Sequence, residues 1–141
     1  MAQRVEELMT SGVETTAPDE TIQQAAAKME ELDIGPLPVV EEDLVIGILT
    51  DRDIAVRAVA AGCDPKATRV REIMTPDLVC CFADEDVGDV VQRMQTHEVR
   101  RLPVLDRDNR LVGMVALADL ARHTGEHESA EALKGVSQPN R

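Results

Sequence analysis

One hexapeptide pattern occurs twice in this chain: VEELMT at residues 5–10 returns as VREIMT at residues 70–75. The offset of 65 holds for Asp19-Glu20 against Asp84-Glu85, Met29 against Met94, and Leu37-Pro38-Val39 against Leu102-Pro103-Val104. One inserted residue raises the offset to 66, which pairs Gly47 with Gly113 and Asp53 with Asp119. No other feature restricts the fold as strongly. A half of about 60 residues buries too little surface to be stable alone, so two copies of one unit must complete each other.

Each copy carries the same local signals. Thr21 and Gln24 make a capping box ahead of Ile22, Ala25, Ala26, Met29 and Leu32 at helical spacing, and Asp86 stands as the cap before Val87, Val90, Val91, Met94 and His97. Short β-branched runs follow at residues 37–40 and 45–49, and again at 102–105 and 111–115, each pair separated by a charged turn. Residues 13–16 and 78–81 read as a short strand before each first helix. A second helix is predicted from Asp53 or Asp119, the first ending at the C-cap glycine Gly62. The predicted class is α+β. Two β-α-β-β-α units span residues 1–65 and 66–125, related by a pseudo-two-fold axis, with small sheets face to face and helices outside. Residues 62–68 read as the linker, and the polar tail 126–141 is expected to be disordered.

Composition limits the chemistry. With 27 acids against 15 bases the formal charge is -12, which repels phosphate backbones and anionic lipid. Phe82 is the sole aromatic, so base stacking on aromatic platforms is excluded, and the expected partners include neither nucleic acid nor membrane. No apolar run approaches the roughly 18 residues of a spanning helix, and MAQRVEELMT lacks a signal-peptide segment, so a cytoplasmic location is expected. Cys63, Cys80 and Cys81 form no disulfide framework and read as buried or half-buried thiols, a redox or metal role for Cys80 and Cys81 being the alternative.

The twin pattern of V-x-x-[IL]-M-T, amphipathic helix, L-P-V and G-h-h-x-x-x-D (h apolar) resembles tandem CBS domains, the paired module also called a Bateman module. The resemblance covers about residues 1–125. It implies a disc-like pair of units with clefts for adenine-containing ligands such as AMP, ATP or S-adenosylmethionine, and association of two modules, here a homodimer. It also implies a sensor that passes ligand occupancy to an unidentified regulated protein, in this case as a stand-alone module without a catalytic domain.

The stretch GILTDRD, residues 47–53, has the strongest claim to chemistry. Thr50 is placed where a strand gives way to a helix, so free first-turn N–H groups, the helix dipole and the hydroxyl suit a phosphate. Asp53 can accept from both hydroxyls of a ribose. T-x-x-D also serves the helix's own cap, and that alternative stays open on the residues alone. The resemblance assigns ribose recognition to this aspartate. Asp51 and Asp53 near a phosphate need a counterweight, and beside Arg52 of the same stretch the resemblance places it on Arg100 and Arg101 ahead of the second L-P-V, as basic residues precede that strand in the gamma subunit of the AMP-activated kinase. A solvated strand edge or a dimer contact is the other use for that arginine pair. Thr75, Leu78 and Cys80 would line the same cleft. The related second site keeps Asp119 but has Ala116 for Thr50, Gly35 and Pro36 for the arginines, and Thr10 and Val13 for Thr75 and Leu78, so it is expected to bind a nucleotide weakly or not at all, or to take a ligand without phosphate. The expected ligand is AMP, ADP or ATP, with no cofactor. His123 and His127 lack a third metal ligand, and His97 reads as a partly buried packing residue. No nucleophile constellation or phosphate-binding glycine loop is present, so no enzyme is expected.

Overall fold

Two small sheets organise the chain, one per repeat, in a computed structural model that describes residues 3–76 and 79–122. In the first repeat the Thr21 hydroxyl accepts the Gln24 N–H at 3.1 Å and the Gln24 side chain accepts the Thr21 N–H at 2.9 Å. This closed box starts α1 (Ile22–Leu32), which buries Ile22, Ala25 and Met29. Strands β1 (Leu37–Glu41) and β2 (Leu44–Leu49) pair antiparallel, Leu37 opposite Leu49 and Glu41 opposite Leu44. Glu42 and Asp43 have φ of 52° and 67°, the left-handed pair that a two-residue hairpin loop requires. Helix α2 (Asp51–Asp53) then widens into a π-type turn over Ile54–Val59, with Ala60 N–H donating to Ala55 O at 3.0 Å. It begins at Asp51, earlier than the expected Asp53, because Thr50 is its cap. Gly62 closes the turn at φ 76°.

The second repeat forms a three-stranded sheet. Strand β3 (Cys81–Phe82) runs parallel to β4 (Arg101–Leu105), which pairs antiparallel with β5 (Leu111–Ala116). Against it lie α4 (Val87–His97), which buries Val87, Val90, Val91 and Met94, and α5 (Leu117–Ala121), which buries Leu117 and Leu120.

The leading hexapeptides cross over. Val5, 0% exposed, sits in the core of the second repeat; its N–H donates to Glu85 O at 3.0 Å, and Thr10 exchanges backbone hydrogen bonds with Met114 at 2.8 and 2.9 Å. Conversely, α3 (Val70–Ile73) buries Val70 and Ile73 among Ile22, Leu37, Val39 and Leu49 of the first repeat, and Thr75 exchanges backbone bonds with Ile48 at 2.9 and 3.0 Å. The compact units are therefore a middle unit, Glu14–Leu78, and a composite unit made of Met1–Val13 with Val79–Arg141. Each unit closes its core only with the other repeat's leader, which is how two undersized repeats bury enough apolar surface.

The repeated Asp-Glu pairs also acquire a role. Glu85 holds Arg93 of α4 through two bonds of 2.7 and 3.1 Å while Arg93 donates to Cys80 O at 3.0 Å. Lys28 of α1 does the same, 3.5 Å from Glu20 and donating to Thr15 O at 2.7 Å. Each base fixes its helix to the chain that enters the sheet.

Several expectations need correction. Asp86 occupies the N-cap of α4 as expected but makes no side-chain capping bond, while the Val87 N–H donates to Gln3 O at 2.8 Å. The strand expected at residues 13–16 reduces to one bridge, Thr16 opposite Val39. His97 is exposed, as is its counterpart Leu32 at 41%, since each is the last residue of its helix. His123, His127 and the tail 126–141 lie outside the described residues. Cys63 and Cys80 are half-buried thiols and Cys81 is fully buried. Burial pushes the Cys81 thiol up to about 12 and raises that of Cys80 as well. Alkylation at pH 8 is accordingly expected to reach Cys63 and Cys80 and to spare Cys81, as read by peptide mass mapping; modification of native Cys81 at the rate of Cys63 would contradict the packing. Because the folded thiol titrates above the unfolded one, its stabilising effect is complete below pH 9 and is lost as the pH climbs toward 12.

Candidate functional site

Within the middle unit, the end of β2, the start of α2 and the end of α3 bring Thr50, Asp53 and Thr75 together. The Thr50 hydroxyl accepts the Asp53 N–H at 3.0 Å, and Asp53 Oδ2 accepts the Thr50 N–H at 3.0 Å. The capping role read from T-x-x-D is thus realised in both directions. Asp53 Oδ1 faces two further groups: the Thr75 hydroxyl, which donates to it at 3.5 Å, and Arg57 Nε at 3.9 Å. The Asp53 side chain is 13% exposed, so the carboxylate is held nearly dry yet remains open to a small donor.

The first-turn amides are less available than the sequence suggests. Asp53 N–H is taken by Thr50, and Arg52 N–H donates to Asp51 Oδ1 at 3.1 Å. A phosphate at this helix start must compete with side chains that already satisfy those donors. Asp51 and Arg52 are exposed. A Cβ placed on Gly35 would lie 3.4 Å from Asp51 Oδ1, so Gly35, expected at the weaker site, borders Asp51 of the stronger one; Pro36 follows it, half-buried.

The other candidates belong to the composite unit. Arg101 is exposed at the start of β4 opposite Ala116, and Arg100 is half-buried with its carbonyl accepting the Leu117 N–H at 2.8 Å. The Cys80 carbonyl is engaged by Arg93. Thr10 is exposed and Val13 half-buried. Asp119 is half-buried and ion-paired to Arg122 within α5's last turn, and its cap position holds Ala116, which has no hydroxyl to offer. Leu78 lies outside the described residues.

Sequence reasoning missed Arg57. Its signal was the i, i+4 spacing from Asp53, which places acid and base on one helical face. It also missed the docking of Thr75 on Ile48, which sets that threonine beside Asp53. Among the described residues no helix is long and apolar enough to cross a membrane, and no group of three or more His, Cys, Asp or Glu is placed to hold a metal.

Comparison with known proteins bears on this geometry. The family model described as CBS domain matches twice, at residues 5–59 and 70–126. CBS domain-containing protein YhcV of Bacillus subtilis is 44% identical over 137 residues, covering 96% of each chain. The crystal structure of Hypoxic Response Protein I with two coordinated zinc ions has a TM-score of 0.78 at 37% identity, over 86% of this chain and 99% of that one. The CBS domain pair of protein MJ0100, solved in complex with 5′-methylthioadenosine and S-adenosyl-L-methionine, has a TM-score of 0.76 at 29% identity, over 90% of this chain and 99% of that one. With both repeats matched by the model, full-length relatives and shared α+β topology, this chain belongs to the CBS domain family as a tandem pair.

Proposed function

We propose that this chain is a non-catalytic cytoplasmic sensor that binds an adenine nucleotide, AMP, ADP or ATP, with Asp53 as the ribose acceptor. The observation that carries the reading is the meeting of Thr50, Asp53 and Thr75 around one nearly buried carboxylate, whose Oδ1 has, among the described residues, a long bond to Thr75 and a loose ion pair to Arg57. A vicinal diol offers two donors in the geometry a carboxylate accepts, and bonds to an ionised acceptor are the stronger kind. The phosphate's charge balance is assigned to Arg100 and Arg101 on the resemblance alone. The two ligands named for the MJ0100 pair share the adenosine group, which supports the ligand class and keeps S-adenosylmethionine as an alternative. Occupancy would act by population shift, bounded by the ligand's differential affinity for two arrangements. Val56 and Val59, 53% and 69% exposed on one helix, favour the homodimer.

A second reading, a structural module without ligand, is favoured by the closed Thr50–Asp53 box, which needs no ligand to justify either residue. Titration calorimetry with AMP, ADP, ATP and S-adenosylmethionine decides between them, with light scattering on the same samples. Saturable heat from a nucleotide and a mass of two chains are expected. No heat from any of the four would leave the structural reading, and a monomer at all concentrations would remove the homodimer.

A further inference from the structure

Arg57 does more than pair with Asp53. From the π-type turn its Nε lies 3.9 Å from Asp53 Oδ1, while its Nη1 donates to Ile73 O at 3.4 Å and Met74 O at 3.3 Å. Those carbonyls end the four-residue α3, where a helix leaves its last acceptors without partners of its own. The next residue, Thr75, is tied to Ile48 by two backbone bonds and to the same Asp53 oxygen by its hydroxyl. One guanidinium thus joins the proposed ribose acceptor to the exchanged segment, the last of the middle unit before the chain passes into the composite unit at Val79.

We propose that Arg57 is a positioning residue that couples occupancy of Asp53 to the hold on residues 73–75. The inference rests on the nucleotide reading of Asp53. Two ribose hydroxyls on Asp53 Oδ1 and Oδ2 compete with Thr75 and weaken the attraction to Arg57, so the arginine shifts toward the Ile73 and Met74 carbonyls. The Met74 and Thr75 amides, which donate to Val70 O and Ile48 O at 2.9 Å, report that change. Arg57 is about half exposed at 49%, and its removal leaves no buried charge unpaired, since Asp53 keeps the Thr50 and Thr75 donors.

The test is amide hydrogen exchange of residues 70–76 with and without the member of AMP, ADP and ATP that gives the largest calorimetric heat, in wild type, Arg57→Gln and Arg57→Lys. In the wild type the nucleotide is expected to change Met74 and Thr75 exchange at least threefold. Both variants should still give a saturable nucleotide heat yet lose most of that change, because neither side chain carries the separate Nε and Nη1 donors that face Asp53 and the two carbonyls. A wild type that binds without any exchange response, or variants that keep the full response, would overturn the coupling alone. If none of the three nucleotides gives heat, the site reading falls and the coupling with it.

Discussion

Gly113→Ala is expected to unfold the composite unit at temperatures the native chain survives, with a loss of about 2–4 kcal/mol. The reason is a close approach: a Cβ on Gly113 would lie 2.8 Å from Thr10 O and 2.6 Å from Met9 Sδ. Methionine can turn aside, but the Thr10 carbonyl is fixed beside β5, because Thr10 and Met114 exchange two backbone bonds. An added methyl therefore lifts the leading segment from its strand and draws Val5 out of the core. The matched substitution Gly47→Ala meets Thr75 O at 2.8 Å and Met74 Sδ at 3.0 Å and is expected to behave alike. Chemical denaturation reads both. A Gly113→Ala midpoint equal to wild type would show that the crossover of leaders does not hold the units closed.

Gly47→Ala separates the two parts of the account, since it displaces Thr75 from Asp53 while leaving Thr50 in place. The repeat made Gly47 and Gly113 visible as a pair, yet no pattern revealed why a glycine was needed there. The cause is a backbone approach from a segment distant in sequence.

Other parts of the fold were legible because they are local. The Thr21–Gln24 box, the hairpins and the Gly62 closure each depend on residues within a few positions of one another. The crossover was not legible, because the apolar faces of VEELMT and VREIMT are nearly identical and either core accepts a valine at that position. The position of the α4 cap was legible in Asp86, whereas the bond from the Val87 N–H to Gln3 O was not, because Gln3 arrives from the chain's start. In the site, Thr50 and Asp53 were legible as a motif, Thr75 through the resemblance, and Arg57 only as an i, i+4 spacing that went unread, whereas the docking of Thr75 against Asp53 comes through packing that is set elsewhere.

The second large effect is expected at Asp53. Bonds to an ionised acceptor contribute about 1.5–3 kcal/mol each, so removing the charge while two ribose hydroxyls depend on it costs roughly 3 kcal/mol or more, over 100-fold in affinity. Asp53→Ala also opens the cap, at about 1 kcal/mol of stability, and so mixes binding with folding. Asp53→Asn is cleaner: its amide oxygen still accepts the Thr50 N–H, while its NH2 group confronts the donors of the sugar. Asp119→Asn provides the contrast, because Asp119 is paired to Arg122 and has Ala116 at its cap.

Calorimetric titration of AMP into wild type, Asp53→Asn and Asp119→Asn reads the chemistry of the Asp53 carboxylate without confusing it with stability. A loss of over 100-fold in the first variant and less than threefold in the second is the predicted pattern. Wild-type affinity in Asp53→Asn would contradict it and leave Thr50 and Asp53 as a helix cap and nothing more.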